Sequence, residues 1–270
     1  MGVSLDVIDG YVLEGVLGRG STSDVYRARD RAGVEVALKV LRTDALSDSL
    51  ERRFLREASI RIEHPNVVRT LDAGIGPGGV PYIVLELLAG RGLDARLAGG
   101  AFSPSEALDV VRQAARGLAA LHREGIVHRD VKPANIFCCD DGPVKLLDFG
   151  VARFAELTRP SLATKTGELL GTLLYFAPEQ ITGGRNADAR SDVWALGVVL
   201  YHALTGAVPF TGRTPVHTAL AIMEQPHPPL GPSVPPALAA VVEQCLCKRP
   251  EGRLPNAIAL RAALEAARAE

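Results

Sequence analysis

The first third of the chain carries short runs in which hydrophobic and polar residues alternate, separated by glycine-rich turns. Alternation with a period of two is typical of β-strands that bury one face. One stretch departs from this period and predicts a helix instead. The predicted strands are residues 11–17, 24–28, 34–40, 67–71 and 81–88, with a turn at 74–79, and the predicted helix follows the candidate cap at 47–49 and carries Leu50, Phe54, Glu57 and Ala58 on one face.

From about Ser103 onward, hydrophobic residues recur every three or four positions, which is the spacing of one helix face. Ser103 is a candidate N-cap, because its hydroxyl can accept a backbone N–H of the first turn. The pattern predicts an α+β chain in one domain of residues 10–267, with a small β-rich N-lobe that holds one main helix and a larger, mostly helical C-lobe. The predicted C-lobe helices are residues 104–122, 191–204, 235–247 and 255–267, and the expected parts are an N-lobe at about 10–85, a hinge at about 86–92 and a C-lobe at about 93–267.

The composition narrows the classes of partner. The chain has 270 residues, 47% of them hydrophobic and 23% charged, and a formal net charge of −1, which gives no general attraction to nucleic acids or anionic membranes. The apolar run at 193–201 is far shorter than the ~20 residues of a membrane span, and residues 1–6 lack the features of a signal peptide. We therefore expect no nucleic-acid partner, no membrane segment in this chain and a cytoplasmic location.

Several features are expected to be structural. The cysteines lie adjacent or one residue apart, which is not zinc spacing, so small, reduced, semi-buried side chains are expected. The prolines of 226–236 fit either a rigid loop between helices, the interpretation we favour, or a polyproline ligand for another domain. Histidines without a visible nucleophile or metal partner are interpreted as structural: His64, His122, His202, His217 and His227.

The segment HRDVKPAN, from His128 to Asn135, places a carboxylate, a cation and an amide in one short loop. The carboxylate of Asp130 can accept a hydroxyl proton, and the ammonium of Lys132 can neutralise developing charge. Asp148, in the sequence DFG after the apolar strand 144–147, adds a second oxygen ligand to the amide oxygen of Asn135. Such oxygens suit Mg²⁺, so the set fits phosphoryl transfer.

A glycine-rich segment, GRGSTS from Gly18 to Ser23, lies between two predicted strands. Glycines there allow the backbone to approach phosphates closely, although a lone G-x-G is often only a hairpin turn. The following strand argues against a dinucleotide fold or a P-loop, both of which place a helix next.

Lys39 stands alone in the apolar strand VALK, and an ammonium buried there needs an anionic partner. Glu57 on the predicted helix could supply it. The alternative for Glu57 is a surface pair with Arg53 or Arg61, each four residues away on the helix, and the alternative for Lys39 is a strand end that reaches solvent.

These motifs stand in one order over residues 10–267, and together they resemble the catalytic domain of the protein kinase superfamily. The segment GTLLYFAPEQ, residues 171–180, makes the chain most similar to the bacterial, eukaryotic-like (Hanks-type) serine/threonine kinases. Lys132 and Thr172 favour Ser/Thr over Tyr substrates. The resemblance implies a bilobal, protein-kinase-like fold and transfer of the γ-phosphate of ATP, with Mg²⁺, to Ser or Thr hydroxyls of protein substrates.

The resemblance also implies roles for the loop residues. Asp130 is the expected catalytic base, Lys132 steadies the γ-phosphate, and Asn135 and Asp148 bind Mg²⁺. Lys39 contacts the α- and β-phosphates. Scaffold roles are implied for Glu179, paired with Arg253, and for Asp192, which holds the backbone of the catalytic loop.

Nucleotide binding is implied for a wider set of residues. Val25, Ala37 and Phe137 enclose the adenine, Leu85 is the gatekeeper, and backbone groups of the hinge bind the base. Ser23 stands at the third glycine of the family's loop. The full set is Leu17, Gly18, Gly20, Ser23, Val25, Ala37, Lys39, Glu57, Leu85, Glu86, Leu88, Phe137 and Asp148.

Regulation is expected in the segment from Asp148 to Glu179. Arg129 beside the catalytic Asp130 is typical of kinases that wait for a phosphate on this segment, and Thr166, then Thr164, are the expected autophosphorylation sites, with Ser161 and Thr158 weaker candidates. Analogy alone adds the option of a homodimer for trans-autophosphorylation.

One departure from the family lies between Glu57 and His64, where the chain is about two residues short. Two residues exceed half a helical turn, so Arg61 is expected where an apolar residue normally packs, with Ile60 or Ile62 as substitutes. This departure favours, weakly, a pseudokinase that binds without catalysis. A small-molecule phosphotransferase is the third hypothesis, but such enzymes lack the segment that contains Glu179.

Overall fold

The structure, a computed structural model, describes residues 7–42, 48–149, 171–183 and 187–268. The chain divides into two compact units, Met1–Ala89 and Gly90–Glu270. The first unit is built mainly of strands and the second mainly of helices. The predicted α+β class, with a small β-rich part followed by a larger helical part, is therefore confirmed.

An antiparallel sheet of six strands forms most of the first unit, in the order β1–β2–β3–β4–β6–β5. The predicted alternation explains why these segments pair, since each strand offers one apolar face. The elements are β1 (Val7–Ile8), β2 (Tyr11–Arg19), β3 (Ser23–Arg29), β4 (Glu35–Leu41), α1 (Asp48–Ser59), β5 (Thr70–Gly76) and β6 (Val80–Glu86).

The two faces of this sheet bury different sets of side chains. Successive residues of a strand point to opposite faces, so Leu41 and Ile83 pack on the side of α1, against Phe54 and Ala58. Lys39, two residues before Leu41, shares that face by the same alternation. The opposite face buries Ile8, Ala28, Val36, Leu38, Val40, Tyr82 and Val84.

The strand prediction for residues 67–71 and the turn prediction for 74–79 are both wrong in position. Residues 67–69 lie outside β5, which runs on to Gly76, and the turn is a short 3-10 helix at Pro77–Gly79. Gly74 and Gly76 are needed inside the strand, because a Cβ on them would lie 2.4 Å from the Tyr82 hydroxyl and 2.8 Å from Ile8 Cγ2. Glycine here marks close packing rather than a turn. The last predicted strand also ends earlier, at Glu86 rather than Leu88.

Replacing Ile8 by Ala should destabilise the first unit by about 2–5 kcal/mol, because Ile8 is 2% exposed and packs in the hydrophobic cluster on the face of the sheet opposite α1. Val7, in the same strand, is 51% exposed, so Val7→Ala is the matched control and should change stability by less than about 0.5 kcal/mol. Urea unfolding followed by circular dichroism measures both. Equal losses for the two variants would contradict the packing role of Ile8.

The second unit contains a small antiparallel sheet and several packed helices. In the described residues its strands are β7 (Gly90–Gly92), β8 (Ile136–Cys139) and β9 (Val144–Leu146), and its helices are α2 (Leu93–Leu97), α3 (Pro104–Arg123), α4 (Pro178–Ile181), α5 (Ala189–Thr205), α6 (Pro215–Glu224), α7 (Pro236–Cys245) and α8 (Ala257–Ala266). Ser103 caps α3 as predicted, with its hydroxyl accepting from the Glu106 N–H at 3.3 Å. No helix in the described part of the chain combines the length and the apolar composition of a membrane span.

Helix α5 is the centre of this unit. Twelve of its 17 residues are buried, and it packs against α3 and α7. A helix that is apolar on all sides belongs in a core, so the polar residues that it does bury require partners. One of those residues is Asp192, which faces the loop after α3.

The remaining structural expectations fall in this unit. Cys138 and Cys245 are buried, Cys139 and Cys247 are half-buried, and all four are in the reduced thiol form. The proline-rich stretch is a loop between α6 and α7, tied down by His227, which contacts the Glu243 carboxylate at 3.1 Å. Helix α6 was not predicted, because exposed Val216 and Leu220 blur its apolar face.

Candidate active site

The loop between α3 and β8 is clamped by one buried carboxylate. Asp192 accepts the N–H of His128 on Oδ2 at 2.8 Å and the N–H of Arg129 on Oδ1 at 2.7 Å. Arg129 adopts φ 64°, a left-handed conformation that is sparsely populated outside glycine and needs such restraint. The role expected of Asp192 on the loop backbone is confirmed by this geometry.

Two histidines brace the clamp, and their partners define their tautomers. His122 accepts the Ala257 N–H on Nδ1 at 3.1 Å, so its Nε2–H donates to Asp192 Oδ2 at 2.8 Å. His128 accepts the Asp130 N–H on Nδ1 at 3.3 Å, so its Nε2–H donates to the Leu147 carbonyl at 3.0 Å. His122 therefore has the structural role that was predicted for it, because its ring connects the start of α8 to the carboxylate that holds the loop.

The carboxylate of Asp130 lies among the polar groups that the sequence placed near it. Its Oδ2 contacts Lys132 Nζ and Asn135 Nδ2, each at 3.0 Å, and Asn135 Nδ2 also donates to the Asp130 carbonyl at 2.8 Å. Lys132 Nζ donates to the hydroxyl of buried Thr172 at 3.1 Å. The structure therefore brings Asp130, Lys132, Asn135 and Thr172 together.

Asp148 lies two residues after the end of β9 and is half-buried. The Leu147 N–H donates to the Asn135 carbonyl at 2.9 Å, and buried Phe149 packs edge-on against the His128 ring, with centroids 6.1 Å apart. The loop with Asn135 and the strand end with Asp148 are thereby joined. The amide N of Asn135 is used on Asp130, which leaves its oxygen to act as a ligand, and the two oxygen donors fit a hard cation such as Mg²⁺.

Helix α4 is anchored through Glu179. The guanidinium of Arg253 donates to both of its carboxylate oxygens, at 2.7 and 2.9 Å, and Ser191 Oγ donates to it at 2.7 Å. The expected Glu179–Arg253 pair is therefore present. Burial alone would raise the pKa of Glu179, but the hydrogen bonds and charge of Arg253, with the Ser191 bond, hold that pKa below the usual carboxyl range.

This lowered pKa predicts an acid-sensitive contribution to stability. The ionised Glu179 stabilises the folded state above the pKa of an unfolded Glu, about 4.3, and this contribution is lost as pH falls through the lower folded pKa. Glu179→Gln should therefore melt below the wild type near neutral pH, and the gap should shrink below about pH 4. Thermal melting at several pH values measures it, and a gap that widens in acid would contradict the assignment.

In the first unit, Lys39 and Glu57 form a buried ion pair. Lys39 Nζ lies 2.6 Å from Glu57 Oε1, and their side chains are 7% and 17% exposed. The predicted pair is present, as the alternation in β4 and the helical face of α1 require. Arg61 lies just past the end of α1, is exposed, and donates instead to the carbonyls of Ala58 and Ile60. Arg53 lies outside the residues whose side chains are described.

The glycine-rich segment joins β2 to β3. The Gly20 N–H donates to the Ser23 carbonyl at 2.9 Å, and a Cβ on Gly20 would lie 2.9 Å from that same oxygen, so the turn requires glycine. A Cβ on Gly18 would meet nothing within 4 Å, which leaves open space beside the backbone for a ligand. This cradle fits a phosphate group.

The other residues of the expected nucleotide set lie on strands or just beyond them. Ala37 is buried and faces Leu85 in the β4–β6 register. Glu86 ends β6, and its carboxylate accepts the Arg69 N–H at 2.8 Å. Leu17 is exposed on β2, and Val25, Leu88 and Phe137 are half-buried.

Some expectations fall on residues outside the described ranges. These are Gly150, the phosphorylation candidates Thr158, Ser161, Thr164 and Thr166, and the cap residue Ser47. One contact was missed altogether: Gln180, in α4, donates to the Arg129 carbonyl at 3.1 Å. A single amide beside Glu179 carries no pattern that would have indicated this bond.

The fold and the residues gathered around Asp130 are those of a protein kinase, and the chain belongs to that family. The model of the protein kinase domain matches residues 11–264. The chain is similar to serine/threonine-protein kinase PknB of Mycobacterium leprae, 42% identical over 269 residues that cover 95% of this chain and 42% of the relative. It is also similar to the probable serine/threonine-protein kinase PknB of Corynebacterium glutamicum, 40% identical over 273 residues that cover 96% of this chain and 42% of the relative. The chain thus spans about two-fifths of the length of the curated relatives it matches.

Proposed function

We propose that residues 10–267 are the catalytic domain of an ATP- and Mg²⁺-dependent protein serine/threonine kinase. The observation that carries the proposal is the arrangement around Asp130, where Lys132 and Asn135 hold the carboxylate and Lys132 reaches Thr172. The names of the relatives at 40–42% identity support the same activity. The substrates are Ser or Thr residues of proteins.

The chemistry divides among a few side chains. Asp130 orients the substrate hydroxyl and accepts its proton, and the nearby Lys132 ammonium stabilises the charge on the transferred phosphate oxygens. Asn135 and Asp148 would hold Mg²⁺, which would neutralise the phosphate charge when bound. Restraint by Asp192 keeps the loop in position, since phosphoryl transfer depends mostly on positioning.

Nucleotide binding is assigned to the residues that the family resemblance implies for it. Lys39, fixed by Glu57, contacts the α- and β-phosphates, and Gly18 and Gly20 let the backbone approach them. Val25, Ala37 and Phe137 contact the adenine. Backbone groups of Glu86 and Leu88 bind its edge, beside Leu17, Ser23 and the gatekeeper Leu85.

Autophosphorylation of Thr166 and Thr164 is proposed to switch the enzyme on. Arg129 is exposed beside Asp130, and a phosphate on the segment could pair with its guanidinium. A homodimer would allow one chain to modify another. The reaction is placed in the cytoplasm, where ATP is available.

An incubation with labelled ATP, Mg²⁺ and a generic basic protein tests the activity. Label on Ser and Thr of the added protein, found after acid hydrolysis, is the expected result. Binding of ATP without transfer would favour a pseudokinase, and label on a small-molecule acceptor alone would favour a phosphotransferase.

Replacing Thr164 and Thr166 by Ala should remove the gain in activity that preincubation with ATP produces, and an undiminished gain would refute activation at these sites.

A further inference from the structure

The peptide groups on the two sides of Arg129 are held by side chains from two different helices. The Arg129 N–H donates to Asp192 of α5, and the Arg129 carbonyl accepts from Nε2 of Gln180 in α4 at 3.1 Å. Arg129 has the left-handed φ of 64°, which residues other than glycine seldom adopt without such support. Asp192 restrains only the first of the two peptide groups, whereas the second is held by Gln180 at its C=O and by His128 Nδ1 at its N–H.

Gln180 carries a buried side-chain amide that accepts one hydrogen bond through its oxygen and donates another through its nitrogen. The residue is 4% exposed, its Oε1 accepts the Ala177 N–H at 3.0 Å, and its Nε2 donates to the Arg129 carbonyl. An amide supplies both an acceptor and a donor. A carboxylate of the same length supplies two acceptors, and leucine supplies neither. The two contacts therefore require a side chain that supplies one acceptor and one donor, as the glutamine amide does.

The carbonyl bound by Gln180 belongs to the peptide group that leads into Asp130. Because a peptide group is planar, fixing its C=O also fixes the direction of its N–H, which is the Asp130 N–H that donates to His128 Nδ1 at 3.3 Å. The orientation of this plane sets the position of the Asp130 Cα atom, from which the carboxylate side chain extends. Gln180 therefore acts on Asp130 through a single peptide plane.

The position of Gln180 itself depends on α4. The neighbouring Glu179 is held by Arg253 and Ser191, and the Gln180 N–H donates to the Ala177 carbonyl at 2.9 Å. Any displacement of residues 177–181 would therefore withdraw the donor from the Arg129 carbonyl. The segment just before them contains Thr172, which contacts Lys132.

We propose that Gln180 is a positioning residue that sets the orientation of Asp130 through the Arg129 carbonyl, so that phosphoryl transfer requires residues 177–181 to be in place. This role rests on the proposed kinase activity. Gln180→Leu removes the donor, and kcat should fall about 10- to 100-fold while KM for ATP stays nearly unchanged, because positioning acts on the transition state.

Gln180→Glu provides a second readout that a purely structural role would not move. The ionised carboxylate cannot donate to the Arg129 carbonyl, whereas the protonated carboxyl can. Burial beside a carbonyl raises the pKa of the introduced carboxyl, so the ratio of variant to wild-type kcat should rise as pH is lowered from about 9 to about 6. For Gln180→Leu the same ratio should be flat.

Gln113→Glu is the matched control. The Gln113 amide also accepts a backbone N–H, from Val144 at 2.9 Å, and donates to an oxygen, Asp109 Oδ2 at 3.1 Å. Its replacement should lower the melting temperature but leave the kcat of the folded enzyme unchanged, so the ratio of variant to wild-type kcat should not vary with pH.

A wild-type kcat for Gln180→Leu, a pH-independent ratio for Gln180→Glu, or the same kcat loss in Gln113→Glu would overturn the positioning role. Should Gln180→Leu fail to fold, the pH series of Gln180→Glu decides alone. A wild type that binds ATP but labels no protein would instead overturn the proposed function, and with it this role.

Discussion

Asp130→Asn should lower kcat for phosphoryl transfer by about 10²- to 10⁴-fold, the range that a positioned general base contributes. Asparagine is nearly isosteric and keeps an oxygen for the Lys132 contact at 3.0 Å, so the loop should keep its shape. It cannot take the proton of the substrate hydroxyl. Initial rates at saturating ATP measure the loss, and calorimetry should find the affinity for ATP nearly unchanged.

Asp141→Asn is the control for this experiment. Asp141 is exposed in the turn between β8 and β9, within the same unit, so the substitution alters charge equally without touching the loop. Its kcat should match the wild type. If Asp130→Asn kept more than about a tenth of the wild-type kcat, Asp130 would not be the catalytic base, because loss of such a base costs at least about a hundredfold.

The parts of the site that the sequence predicted are those fixed by local rules. The order of residues from His128 to Asn135 specifies a loop, and alternation along β4 places Lys39 on the face that α1 covers, opposite Glu57. Ser103 precedes an apolar periodic stretch and caps α3. In each case a pattern among neighbouring residues is enough to predict the local structure. The tertiary fold then has only to bring two such segments into contact.

The parts that escaped prediction depend on contacts between distant residues. Gly74 looks like a turn residue, yet it lies in β5 because the Tyr82 ring occupies the space where a side chain would be. Gln180 reaches the carbonyl of Arg129, 51 residues earlier, and Asp192 of another helix holds the preceding peptide group. No local pattern encodes such packing, since several helices must be in place before either contact exists.

Arg253 is expected to be the most important single side chain for the stability of the second unit. It is fully buried and donates to five acceptors: both carboxylate oxygens of Glu179 and the carbonyls of Arg190, Cys247 and Lys248. Its guanidinium also lies 4.9 Å from the centroid of the Trp194 ring. The five N–H donors of arginine are thus satisfied at a point where α4, α5 and the loop before α8 meet.

Arg253→Leu should destabilise the protein by about 3–5 kcal/mol, because it leaves the Glu179 carboxylate buried without a counterion. At this chain length the melting temperature should fall by roughly 6–20 °C. Arg190→Leu is the control, since Arg190 pairs with Asp188 at the surface, and it should lose less than about 1 kcal/mol. The double variant Arg253→Leu with Glu179→Leu removes the stranded charge and should lose less than the two single variants combined. Additive losses would mean that Arg253 acts through its carbonyl contacts and not through its charge.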